Sequence, residues 1–479
     1  MSGQWSPDPL VIWTEKGQIV KIGKALVGNE LSQNEICDLN AGYLYPGFID
    51  THTHSFEGGL YSLGVDLSKC QSVPEVLAKL DSEKSGGASE DTLFAWQLDE
   101  NKLIEERFPT VAELDSVVPN RALILRRIDG HSCVLNSYAR ALLPSLDVPT
   151  EILRGKDNDK AVHYFHGKLS PEAILQAYHA AARIAIEGGF TGLHTMIGDA
   201  DYSIGHYELI RDNLDSFPIS FTLYPQSFNL RAALDAGATR IGGCILADGS
   251  IGSQTAALSD PYLNSLSRGV LYQSDIFWQD FIGRASEQGL QVAVHAIGDR
   301  AIRQINDIYL NLPGTAYLRH QLIHCEITPD DLLHEITASG AAAVMQPNFD
   351  LLWGGEKGFY AGKLGLERSR QMNRFSTLTK SGVKVCGGSD WYITVLDAAF
   401  SIRATLQHHN PNERLSHAEA IDIYTTNAAW LSQEENSRGK IAEGCVADFS
   451  VYSNPLDNHD QMPELKAVIC KGEAQYDRK

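Results

Sequence analysis

The sequence predicts an α/β protein: a (β/α)8 TIM barrel with a small β-sandwich domain formed by both chain termini. Three observations predict it. Eight short apolar runs of strand length recur between residues 43 and 388, separated by stretches that can be helical. Both chain ends break into short strands around turn residues, with too little apolar length in either to bury a core alone. Histidines and a carboxylate stand at the ends of several apolar runs, and a barrel would bring those ends to one mouth.

The terminal segments come first. Residues 9–30 (PLVIWTEKGQIVKIGKALVGNE), 439–454 (GKIAEGCVADFSVYSN) and 464–477 (ELKAVICKGEAQYD) share one short-strand character. A sheet module built from both ends satisfies all of them, giving a composite domain of 1–45 and 430–479 beside a barrel of 46–429. The barrel runs are 43–50, 190–197, 217–224, 241–247, 290–296, 319–325, 341–346 and 382–388. Helical stretches precede several of them. Residues 171–189 place apolar side chains at 174, 175, 178, 181, 182 and 185 and end in a glycine pair, and 281–289 and 330–340 also run to a glycine. The interval 55–170 is too long for one connection and holds its own apolar runs at 93–98 and 122–128. It reads as an insertion between barrel strands one and two.

Composition narrows the function. The 479 residues carry 40 Lys and Arg against 60 Asp and Glu, a formal charge of −20 that repels phosphate backbones and anionic membrane surfaces. Nucleic acid and membrane partners are therefore not expected. Eight cysteines without a CxxC pair do not form a disulfide framework, and no signal-like or membrane-spanning stretch occurs, so a cytoplasmic setting is expected. GSIGS within 247–256 lacks the spacing of a nucleotide loop.

The strongest local signal is FIDTHTH, residues 48–54. His52 and His54 are two apart, so on an extended segment both imidazoles face one side, with Asp50 two residues earlier on that side. They could share a metal ion, or form an ordinary polar strand end. His295 in VAVHAIGDR, His324 in LIHCEI and Asp390 in VKVCGGSDW occupy corresponding positions after later runs. Together they supply the nitrogen and oxygen donors that a divalent catalytic site needs, although satisfied barrel-mouth histidines would look alike.

The segments YPGFIDTHTH (45–54), RRIDGHSCVLNS (126–137), ADGSIGSQTAAL (247–258), VHAIGDRAI (294–302), GGSDW (387–391), TTNAAW (425–430) and GKIAEGCVADFSVY (439–452) resemble the amidohydrolase superfamily, in particular the group that includes N-substituted formamide deformylases. The resemblance runs from residue 9 to about 475. It implies a metal-dependent barrel hydrolase with His52 and His54 as the first-strand metal pair, His295 and His324 as later ligands, and Asp390 as metal-binding carboxylate and proton shuttle. At the fourth strand the chain departs from the pattern. Relatives commonly place a lysine there, whose carbamate bridges two metals, and this chain has Cys244. Cys244 is either a metal ligand, bridging or terminal, or a small residue beside a mononuclear site.

The implied cofactor is zinc, one or two ions per chain. The implied reaction is hydrolysis of a non-peptide C–N bond in an amide, formamide or cyclic amide by metal-activated water. The alternatives are a ring-amidine deaminase and an inert barrel that binds a ligand. Arg127 and His131, in a segment that approaches the active site in relatives, are candidates for contact with a small-molecule substrate. His194, Gln346 and Asn348, at the ends of the second and seventh runs, are further candidates. A homodimer is the expected assembly.

Overall fold

The computed structural model describes residues 10–24, 37–39, 42–87, 89, 91–128, 130, 132–143, 150–201, 203–457 and 461–477. They form two compact units, one of the residues up to His54 and from Ile184 onward, the other of Ser55–Arg183.

The first unit contains the barrel. Its eight strands are Phe48–Thr53, Phe190–Asp201, Ser220–Ser227, Arg240–Leu246, Gln291–Ala296, Gln321–His324, Ala342–Met345 and Val385–Gly387. Strands three, two and one pair in that order, strands four to eight pair consecutively, and every ladder is parallel. The eighth strand closes onto the first just past its end. Thr53 bridges Trp391 in parallel, the Asp390 N–H donates to the His52 carbonyl at 2.9 Å, and the His54 N–H donates to the Trp391 carbonyl at 2.6 Å. Strands one, five, six, seven and eight are buried at every position, as expected where helices cover the outside of a parallel sheet.

The covering helices follow their sequence signals. Asp275–Glu287 begins at Ser274, whose side chain accepts from the Phe277 N–H, and buries Trp278, Phe281, Ile282 and Ala285 at helical spacing. The expected helices at 171–189 and 330–340 are Pro171–Glu187 and Asp330–Ser339.

The first predicted barrel run, 43–50, is two strands in two sheets. Tyr43–Pro46 joins the terminal sheet and Phe48–Thr53 the barrel. Gly47 lies between them, where a Cβ would fall 2.2 Å from Thr191 Oγ1, so no other residue fits this crossing. Apolar content alone did not reveal the break, because both strands are apolar.

The two chain ends share one antiparallel sheet, in the order Glu473–Asp477, Leu465–Cys470, Phe449–Tyr452, Tyr43–Pro46. The hairpin Leu10–Glu15/Gln18–Lys24 is tied to it by the Ile19 N–H to the Cys445 carbonyl and the Gly444 N–H to the Ile19 carbonyl, both at 2.8 Å. Ile19, Cys445, Ala447, Phe449 and Ile469 form their common core. Neither end could build this core alone. Residues 25–30 of the predicted N-terminal strand region lie outside the described residues.

The second unit has its own five-stranded sheet, Val65–Asp66, Thr92–Leu98, Ala122–Arg127, Ser132–Leu135 and Ile152–Arg154, parallel across the first three and antiparallel thereafter. Val76, Leu80, Leu93, Leu114, Leu123, Leu125 and Val134 fill its core. The runs read at 93–98 and 122–128 are neighbouring strands of this sheet. Among the described residues, no helix is long and apolar enough to cross a membrane.

Candidate metal centre

Six side chains converge at the strand ends of the first unit. The ligand atoms of His52, His54 and Cys244 lie within 4.8 Å of one another, as do those of Cys244, His295 and His324, and those of His52, His324 and Asp390. The first strand supplies His52 and His54 through its period of two, and both Nε2 atoms face Asp390 Oδ1, at 3.3 and 3.2 Å. Strands five and six supply His295 and His324, whose ring centroids are 4.4 Å apart.

Cys244 reaches this group through a distortion of the fourth strand. The ladder to strand five pairs Gly242 with Ala293 and then Ile245 with Val294, so Gly243 and Cys244 are extra residues pushed out of register. Gly242 and Gly243 have φ of +94° and +101°, and a Cβ on Gly243 would fall 2.0 Å from Met196 Sδ. Only glycine suits both positions. The bulge carries the cysteine Sγ to within 3.7 Å of His295 Nδ1.

Surrounding groups fix which nitrogen each ring presents. The Gly249 carbonyl, which can only accept, takes the His295 Nε2–H at 3.2 Å, so Nδ1 is the nitrogen turned toward the sulfur. Gln346 Oε1 takes the His324 Nδ1–H at 2.8 Å and leaves Nε2 free. Asp50 lies on the same strand, but its carboxylate accepts from the N–H of His52 at 3.0 Å and of Ser389 at 2.9 Å. It joins the first strand to the end of the eighth instead of facing the cluster.

The group fits a divalent cation. His52 Nδ1, His52 Nε2 and Asp390 Oδ1 are buried without hydrogen-bond partners. Such orphaned atoms cost free energy unless something binds them. His52 Nε2 and His54 Nε2 lie 3.3 and 3.2 Å from Asp390 Oδ1, a spacing that ligands of one cation share. Burial would raise the Cys244 thiol, but the imidazoles of His295, His324, His52 and His54 hold it well below the usual thiol range. Burial also opposes ionisation of Asp390, and His52 and His54 hold it well below the usual carboxylate range. The same contacts raise His52, His54 and His295, the last to about 9, against the effect of burial, so positive charge is favoured between the thiolate and the carboxylate; nitrogen, sulfur and oxygen donors around such a point suit a borderline-soft metal. The backbone pays for the arrangement, since His324 and Asp390 have φ of +70° and +56°. Left-handed backbone at residues other than glycine gathers at functional sites.

The remaining candidates are distributed differently. His194 lies wholly inside the barrel, its Nδ1 3.5 Å from the Tyr224 hydroxyl, and burial drives it down to about 3. Asn348 donates to Thr394 Oγ1 at 2.8 Å, and its Oδ1 is buried without a partner. Arg127 pairs with Glu100 at 2.9 Å within the second unit. His131 lies outside the described residues. After the seventh strand come the helices Pro347–Trp353 and Phe359–Leu364, with Trp353 packed on a cluster containing Phe349 and Tyr360.

Sequence reasoning missed Asp248. Its buried carboxylate accepts from the N–H groups of Ala257, Ile297 and Gly298 at 2.7 to 3.0 Å and lies 3.7 Å from His295 Nε2. The signal was the acid of the ADGS segment, four residues beyond Cys244.

The amidohydrolase family model matches residues 35–476. The protein YtcJ of Bacillus subtilis (strain 168) is 28% identical over an alignment covering 93% of this chain and 91% of that one. An N-substituted formamide deformylase of Arthrobacter pascens is 22% identical, with 93% and 90% covered. The crystal structure of an uncharacterized metal-dependent hydrolase from Pyrococcus furiosus is similar at a TM-score of 0.77 and 25% identity, with 92% of this chain and 95% of that one covered.

Proposed function

The chain belongs to the amidohydrolase family, and on that premise we propose that it hydrolyses a non-peptide C–N bond of a small molecule, in an amide, formamide or cyclic amide, with zinc as cofactor. His52, His54, Cys244, His295, His324 and Asp390 would hold the metal. Bound there, a divalent ion lowers the pKa of water and polarises the scissile carbonyl.

The protein's own groups supply the rest. Asp390, kept ionised by His52 and His54, accepts the proton of the attacking water and returns it to the departing amine. Gln346 and the Gly249 carbonyl hold the rings of His324 and His295 in one tautomer. Asn348, with its orphaned Oδ1, is the group proposed to meet the polar end of the substrate. Arg127, His131 and His194 belong to the proposed substrate-side set on the ground of their motifs.

The observation that carries this reading is the convergence of four imidazoles, one thiol and one carboxylate at the strand ends, with both His52 ring nitrogens and Asp390 Oδ1 buried there without hydrogen-bond partners. Nitrogen and sulfur donors favour zinc over the hard cations. All eight cysteines are free, which supports a reducing, cytoplasmic setting. The proposed assembly is a closed twofold dimer, and light scattering that returns 52.6 kDa at all concentrations would refute it. The functional reading is tested by removing metal with a chelator and assaying N-substituted formamides, simple amides and cyclic amides before and after zinc is restored. Turnover that needs zinc supports it, and turnover indifferent to metal refutes it.

A further inference from the structure

We propose that the face formed by Leu263, Leu266, Val270, Tyr272, Phe359 and Leu366 is where a second copy of this chain docks, in a closed twofold contact. This rests on the dimer proposed above and names the surface that forms it, independently of the reaction catalysed.

Three observations carry it. First, the six side chains belong to one layer of the first unit, built from residues 258–272 and 359–368. The Leu263 N–H donates to the Lys363 carbonyl at 2.8 Å, and Arg368 donates to the Asp260 and Pro261 carbonyls at 3.1 and 2.7 Å. The Val270 N–H donates to the Thr255 carbonyl at 3.1 Å, and a Cβ on nearby Gly252 would touch the Phe359 ring at 3.5 Å. Leu258, Tyr262, Tyr360 and Leu364 turn inward from these segments into one buried cluster. Their neighbours Leu263, Phe359 and Leu366 are left in water, and Leu266 stands in the turn that the Tyr262 N–H closes onto the Ser267 carbonyl.

Second, the area suits a partner. Leu266 is 96% exposed and the other five side chains lie between 37% and 48%. Together they leave roughly 600 Å² of apolar surface in water, at the top of the range for a monomer's largest apolar patch and most of the about 800 Å² that each partner brings to a standard interface. Third, the charge suits a second copy of an acidic chain. The chain carries −20, yet these two segments hold Arg268, Lys363 and Arg368 against Asp260 and Glu367. Two copies that repel one another elsewhere meet here without that penalty. A twofold contact is self-complementary, so apolar surface meets apolar surface and the mixed charges of the rim offer each base an acid on the other copy. The contact also backs onto the metal centre: Tyr272 and Val270 donate to the Ala247 and Thr255 carbonyls on either side of Gly249, whose own carbonyl holds the His295 ring.

The test is sedimentation of the full-length protein over a range of concentrations. The wild type should sediment at twice 52.6 kDa and dissociate only on dilution. The double substitution Leu266→Glu with Val270→Glu should raise the dimer Kd at least about 100-fold, the worth of two lost hot-spot side chains, with an unchanged circular dichroism spectrum. Tyr317→Glu, at an apolar residue 83% exposed outside the layer, should leave the dimer intact. Hydrogen exchange of the wild type above and below its dissociation should show 258–272 and 359–368 protected in the dimer, which reads the face even if the double variant misfolds. A double variant that dimerises like the wild type, or protection confined to other segments, would overturn this face and leave the dimer standing. A wild type that is monomeric at every concentration would overturn both. If that monomer sediments with phosphatidylcholine vesicles, the layer is a lipid-binding surface and the docking of a second copy is refuted.

Discussion

Gln346 decides which nitrogen of His324 is available, through a single 2.8 Å hydrogen bond to the opposite side of the ring. Partners of this kind typically contribute about 10- to 100-fold to metal affinity, so Gln346→Leu should weaken zinc by that factor in a competition titration with a chromophoric chelator. An unchanged affinity would show that His324 is held by packing alone. Asp390→Asn preserves shape but removes the base, and kcat should fall by about 10²- to 10⁴-fold, the usual worth of general acid–base catalysis. The residues carrying these roles were unequally legible. His52, His54, His295, His324 and Asp390 announce themselves because each ends an apolar run. The Gly249 carbonyl could not be read at all, since a backbone oxygen has no residue type, and Gln346 read as a substrate contact because the sequence does not show that His324 lies beside it.

At the scale of the element, the fourth-strand bulge places the sulfur, and its tolerance for change is small. Gly243→Ala puts a methyl 2.0 Å from Met196 Sδ on backbone with φ of +101°. It should destabilise the fold by about 1 to 3 kcal/mol and lower zinc occupancy together, as read by chemical denaturation and metal analysis. The glycine pair stood in the sequence, but the register slip depends on how the strand pairs with residues about fifty positions away, which a local pattern does not encode. Strands five and six illustrate a second dependence. His320 is buried, its Nδ1 accepts from the Val292 N–H at 3.0 Å, and its Nε2 lies 2.8 Å from Ser286 Oγ, so the ring must stay neutral. Burial lowers its pKa to about 4. An unfolded chain takes up that proton near 6.5, so between about 6.5 and 4 the unfolded state binds more protons and stability falls as pH is lowered. His320→Asn, which keeps an acceptor for Val292, should flatten this part of the stability profile. An identical slope in the variant would assign the acid sensitivity elsewhere.

For the molecule as a whole, the barrel unit depends on chain ends more than four hundred residues apart meeting in one sheet. Phe449 is buried in the shared core beside Ile19 and Ile469, and Phe449→Ala should cost about 3 to 5 kcal/mol in denaturant unfolding of the full chain. A cost under about 1 kcal/mol would mean that the terminal sheet is a loose appendage. The composite sheet was legible because neither terminal stretch could bury a core alone, and the barrel was legible because its parallel strands are buried on both faces and read as continuous apolar runs. The split at Gly47 was not, because an apolar run does not say which sheet each half joins. The measurement that tests the central claim most directly is a zinc titration of chelator-stripped protein, followed by hydrolysis of a panel of N-substituted formamides, amides and cyclic amides. The account predicts no C–N hydrolysis in the stripped protein and activity that rises with zinc and levels off once the site is filled. Equal turnover with and without zinc, or a filled site that hydrolyses no C–N bond in the panel, would contradict it.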